Sequence, residues 1–424
     1  MKNNQINFCF TLPLCILLTA TKAAADWGNW RGPNHDGVSM AKNLPDTWSE
    51  TENLLWKTPL PSAGSSTPVI IEGKIFLTCE LEGTVQLLCI SEAGKELWRQ
   101  KVCDSGKGGR GGEKTNASPS PCADNDKIFV MTGTGEVVSY DFSGKEKWRF
   151  NAQERYGKFR LGFGFHSSPL LHEGRLYLQL INTAYQIVVC IDGLSGKELW
   201  KVDRPSDGVA ECFHSYASPT AHRYGKVNVV ITHGHDYTIG HDPKSGKELW
   251  RIGDLNPKNQ YNRTLRFVAS PVAHKGLVVA PSAKNRGVAG IQLAEAKGLI
   301  NAGDKGESWR ISKGTPDVPS PLVYDNLVYL CRESGVGICL DARTGEKYYE
   351  ERVYAQTYRA SPVAANGRVI FTARDGTFSV LKAGRTLKIL AKNKLDDQFT
   401  ASPAIYDERL YLRGYGSLYC IGKK

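Results

Sequence analysis

The residues best suited to chemistry in this chain are histidines set beside carboxylates and arginines. His233-Gly234-His235-Asp236 places two imidazoles two residues apart, with a carboxylate next to them. Side chains two apart on an extended chain share a face. Imidazole nitrogens with a carboxylate oxygen suit a divalent transition metal. The spacing therefore predicts a metal site at His233, His235 and Asp236, with His166 and His214 as further nitrogen donors. A second group, Asn116, His166, His214, Arg266 and Arg359, stands just ahead of a repeated Ser-Pro step. These five are the expected ligand-binding residues. Lys107, Arg110 and Lys114, with Lys258, Arg263 and Arg266, add a basic rim that would draw an acidic ligand.

Other patterns carry less. The run Gly108-Gly109-Arg110-Gly111-Gly112-Glu113-Lys114-Thr115 is not a phosphate loop, because Glu113 separates glycine from lysine and no long helix follows. His172, His222 and His274 each follow a repeated proline by three residues. They read as equivalent turn residues on the opposite face, not as a cluster. No catalytic residue is expected: there is no Ser/His/Asp order and no paired-carboxylate geometry. Nor do aromatic residues form a nucleic-acid platform. Among the 11 cysteines there is no CxxC and no adjacent pair. Cys89, Cys190, Cys339 and Cys420 share one repeat position and read as buried apolar side chains.

The elements that position these residues follow from a phrase that returns eight times. It is Thr67-Pro68, Ser120-Pro121, Ser168-Pro169, Ser218-Pro219, Ser270-Pro271, Ser320-Pro321, Ser361-Pro362 and Ser402-Pro403. A period of about 40 to 50 residues filled with short strands is the mark of β-propeller blades. The first copy holds four runs rich in Val, Ile, Leu, Phe and Thr, separated by Gly-containing turns. The third turn has its own phrase, Gly94-Lys95-Glu96-Leu97-Trp98, repeated at Gly144, Gly196 and Gly246. Its Trp is expected to dock on the next blade. The eighth copy ends after three strands. Residues 51–58, whose Leu55-Trp56-Lys57 reads like Leu97-Trp98-Arg99, would supply the fourth. The expected fold is all-β: an eight-bladed β-propeller closed by an N-terminal strand that completes the last blade.

Residues 1–25 read as a secretory signal peptide: Lys2, an apolar stretch from Ile6 to Ala20, and small residues at Ala23 to Ala25. An N-terminal extension at 26–50 and the propeller at 51–424 complete the expected domains. The formal charge is +11, and losing Lys2 and Lys22 leaves the balance basic. The signal peptide places the protein in the periplasm or outside the cell, and no transmembrane helix is expected after cleavage.

The phrases SxGKELW and DxxTGEK, with xASPV before the innermost strand, resemble the repeats of the pyrroloquinoline-quinone-type β-propellers. Trp27-Gly28-Asn29-Trp30-Arg31-Gly32-Pro33 with Asp36-Gly37 is similar to the N-terminal signature of exported bacterial members. The resemblance implies one of two functions. One branch resembles the propeller subunit of the outer-membrane β-barrel assembly machinery, a scaffold without catalysis. Quinoprotein alcohol dehydrogenases form the other branch, holding the quinone and calcium beneath a Cys-Cys disulfide that this chain lacks. The expectation is an exported, non-catalytic, monomeric scaffold with no cofactor, a protein partner in the cell envelope and no nucleic-acid partner. The alternatives are a quinoprotein oxidoreductase and a binder of a metal or small anion.

Overall fold

A computed structural model describes residues 26–106, 115–124 and 126–423. The expected signal peptide at 1–25 lies outside the described residues, as do Lys107, Arg110 and Lys114 of the expected rim. No helix of the described residues is long and apolar enough to cross a membrane.

The chain folds as an eight-bladed propeller. Blade one shows the pattern: Val69–Ile71, Lys74–Leu81, Thr84–Ser91 and Glu96–Asp104 pair antiparallel in chain order. The inner strands are buried on both faces, so they are runs of large apolar residues. The outermost strand alternates with exposed positions. Blade eight is made of Ala404–Tyr406, Arg409–Arg413 and Ser417–Ile421, and its outer strand is Leu54–Pro59. Trp56 pairs with Cys420 in that antiparallel ladder, so the start of the propeller seals its end and no blade is left short.

Neighbouring blades are linked at two radii. At the periphery, the indole N–H of Trp56, Trp98, Trp148, Trp200 and Trp309 donates to a turn carbonyl of the next blade, at 2.8–3.2 Å. Near the axis, the amide of each repeat Ser or Thr donates to the hydroxyl of the next one, from Thr67 through to Ser402, at 2.8–3.0 Å. This explains the Ser-Pro pair. The hydroxyl accepts from one neighbour, the amide donates to the other, and proline adds no further donor at a strand start.

Two features depart from the repeat. Gly298–Ile300 leaves blade five and pairs in parallel with the outer strand of blade four, Glu248–Ile252. Glu307–Ile311 then takes the outer place in blade five. The extension at 26–50 does not hang free. It runs across one end of the central channel and is built into the ring.

Candidate functional site: a channel closed at one end

Seen from its wall, the channel is built by a period of two. The repeat Ser or Thr faces the axis, and so does the residue two positions earlier, as extended chain requires. The upper ring is polar along one arc, with Ser65, Ser118 and Thr400. His166, Tyr216, Val268 and Val318 form the opposite arc, and Arg359 stands between the two. Phe163, Arg266, Asp317 and Arg374 extend the wall toward the mouth. Together they enclose a cavity of about 320 Å³.

The N-terminal segment forms the floor. Trp30 lines the cavity from below. Arg31 is buried. It donates to the carbonyls of Pro362 (2.7 Å) and Pro321 (3.1 Å), two of the repeat prolines. Trp27 pairs with Ile70 of blade one, and the amide of Ala123 in blade two donates to Gly28. Asn29 accepts from Leu171 of blade three, Asp36 meets His274 of blade five at 2.9 Å, and Val38 pairs with Ala364 of blade seven. Among the described residues the channel is thus a cup, open at the loop face and closed at the other.

The described lining of the cup carries more arginines than carboxylates. Arg266, Arg359 and Arg374 share the lining with a single carboxylate, Asp317, among the described residues. The Arg266 guanidinium donates to Glu211 at 3.1 Å and lies 4.9 Å from the centre of the Phe163 ring. Arg374 donates to the Tyr415 hydroxyl at 3.4 Å. His166 has a ring nitrogen 2.7 Å from the Phe163 carbonyl, which pins the loop carrying both aromatic residues.

Of the five expected ligand residues, the fold brings His166, Arg266 and Arg359 into the cup. Asn116 is elsewhere: its amide nitrogens bond Glu80 and the carbonyl of Ser105, tying a loop to blades one and two. His214 bonds Thr183 at 2.8 Å, outside the lining. Both stand four residues before the repeat Ser, as Arg266 does, and at that distance each loop takes its own path. Trp30, Tyr216, Phe163 and Arg374 were not singled out. The signal for Tyr216 was present, two residues before Ser218.

The expected metal ligands do not converge. His233 is buried in the strand Val227–Gly234, stacked on Phe267 at 4.4 Å, with one nitrogen on Thr238 at 2.7 Å. Burial and the nearby Arg204 charge push its pKa down to about 3. His235 and Asp236 lie in the following turn with positive φ, so the face shared on an extended chain is lost. His235 faces the Gly208 carbonyl, and Asp236 accepts from Tyr261 (2.5 Å) and Asn256 (3.0 Å). Among the described residues no group of three or more His, Cys, Asp or Glu could hold a metal ion. Lys258 of the expected rim is likewise occupied, 3.1 Å from Asp207.

At the closed end the reading of the turn histidines is corrected. His172, His222 and His274 come together around His35 and Asp36 of the floor segment. His35 meets His172 edge-on with ring centres 6.1 Å apart. Each histidine sits at the inner end of its blade, so blade equivalence brings them to one point once a segment lies between them.

The family described as outer membrane protein assembly factor BamB matches residues 82–299 and 296–421. The chain belongs to this family of PQQ-like β-propellers. Among solved structures, BamB from Moraxella catarrhalis has a TM-score of 0.61 at 13% identity, over 87% of this chain and 99% of that one. A quinohemoprotein alcohol dehydrogenase from Comamonas testosteroni has a TM-score of 0.68 at 13% identity, over 94% of this chain and 81% of that one. In sequence, quinohemoprotein alcohol dehydrogenase ADH IIB from Pseudomonas putida is 29% identical over 119 residues. That match spans 27% of this chain and 16% of the dehydrogenase. These likenesses establish the propeller and leave both functional branches of the family open.

Proposed function

We propose that this PQQ-like propeller is a non-catalytic binding module of the cell envelope, and that its partner presents a carboxylate to the mouth of the cup. One observation carries the reading: the channel is closed beneath Trp30, and among the described residues its open end is lined by Arg266, which also meets Glu211, and by Arg359 and Arg374, with Asp317 the one lining carboxylate. A protein partner with an acidic loop or chain end would meet those guanidiniums as charge-assisted hydrogen bonds. Its apolar neighbours would lie along Phe163, Tyr216, Val268 and Val318. The expected export signal and basic balance are consistent with such a partner in the envelope.

Calcium is a poor match to this donor set. The ion takes six to eight oxygen ligands with carboxylates prominent among them, whereas the described lining offers one carboxylate beside three cations. A flat anionic quinone would suit the arginines and the Trp30 floor better, which gives the oxidoreductase reading its specific support.

The test is calorimetric titration with an Asp- and Glu-rich peptide and its Asn/Gln counterpart. Saturable binding of the acidic peptide alone, weakened at least tenfold in R359Q/R374Q and at raised salt, is expected. Dye-linked alcohol oxidation with a quinone absorbance band, after addition of quinone and calcium, would replace this reading with the enzymatic one.

A further inference from the structure

Within the closed end of the channel, four imidazoles converge on one short stretch of chain. His35 is held in the left-handed region, with φ of 59°, and reaches between blades to His172. The His222 ring accepts the amide of Gly276 through Nε2 at 3.0 Å. That bond exists only while Nε2 is unprotonated; a proton there sets donor against donor. Nε2 of His172 is 3.0 Å from Asn228 and 3.7 Å from Glu173. His274 bonds Asp36 at 2.9 Å.

The charged groups facing the cluster are few and engaged. Glu173 is paired with Arg223 and accepts from Asn228. Asp36 accepts from His274 and from the Val38 amide, with Arg31 beside it. Asp36 favours protonation of both His35 and His222, but burial and the neighbouring imidazoles oppose it more strongly. The closed end therefore holds the His35 and His222 rings in their neutral form.

We propose that residues 27–38 form an acid-released plug, loosened from the closed end of the channel by protonation of the imidazoles of His35 and His222. With the segment displaced, Trp30 leaves the floor and the cup becomes a through-channel. The geometry is reinforced by titration: burial at the closed end pushes His35 down to about 3 and His222 down to about 4, against an ordinary 6.5. Once released, His35 regains an ordinary value, and His222 loses the burial that the segment adds. As the pH falls below 6.5 the released form takes up protons that the docked form refuses, so release gains up to about tenfold per pH unit from each ring. Above that pH the plug is held in full.

Hydrogen exchange of the full protein at pH 7, 6 and 5, corrected for intrinsic rates, tests this. The amides of Trp27 and Gly37, bonded to Ile70 and Arg31, are expected to lose at least tenfold in protection between pH 7 and pH 5. Those of the strand Leu327–Cys331 should hold. His35→Asn suits the left-handed backbone, and His222→Gln keeps an acceptor for Gly276. The double variant should lose the pH dependence of the segment, and H35N alone should lose part of it, whatever their protection at pH 7. Equal corrected protection of the wild-type segment at pH 7 and pH 5 overturns the proposal. So does a pH dependence that survives unchanged in the double variant.

Discussion

Arg413 shows how much of the ring can rest on one side chain. It is fully buried at the seam between blades eight and one, donating to the carbonyl and hydroxyl of Ser66 and to Cys79 at 3.4 Å. Burial depresses its pKa. Arg413→Met would leave the Ser66 carbonyl without this donor and should cost about 3 kcal/mol, read as a lowered urea midpoint. His233 makes a second prediction. Its folded pKa of about 3 lies below the ordinary 6.5, so its stabilising share is complete above pH 6.5 and falls away toward pH 3. At pH 5 that loss is about 2 kcal/mol relative to pH 7. His233→Phe should flatten the pH dependence of the urea midpoint by that amount. Neither residue announced itself in the sequence. An arginine buried at a closure and a histidine stacked in a blade look like surface residues until the ring is assembled. The thiols of Cys89, Cys190, Cys339 and Cys420 were more legible, because four copies at one strand position already implied core. Burial pushes each up to about 12.

Among the elements, the outer turn and its Trp form the clearest unit. A Cβ on Gly196 would lie 2.7 Å from the Trp148 ring, whereas one on Gly174 would meet nothing within 4 Å. Both glycines have φ of 71°. Gly174→Ala should therefore cost only the backbone strain, about 1 kcal/mol. Gly196→Ala should cost about 2 kcal/mol more, and the difference in denaturation midpoints measures the docking of one blade on the next. This unit was readable because Gly, Lys and Trp recur at fixed offsets. The parallel strand Gly298–Ile300 was not, since Ala296-Lys297-Gly298 preserves too little of the phrase to show which sheet it joins. Reading of the site failed for a similar reason. The channel wall obeys a strict alternation back from each Ser-Pro, and it places Tyr216 and Arg359. Residues four positions back follow their own loops, which bring Arg266 to the wall and leave Asn116 and His214 outside it.

For the whole molecule, closure and the floor decide the function. Deletion of residues 51–58 removes the outer strand of blade eight and should abolish cooperative unfolding of the entire ring, as seen in a thermal melt. The eight-fold architecture and its closing strand were legible from the repeat alone. Its floor was not, because no periodic rule says where a non-repeating segment such as residues 27–38 will lie. That segment turns a ring into a cup and makes the arginine-bearing mouth the channel's open end. Calorimetric titration of the acidic peptide into wild-type protein and R359Q/R374Q at pH 7 tests this most directly. One saturable site in the wild type, weakened at least tenfold in the variant, is predicted. Equal affinity in both proteins would contradict it.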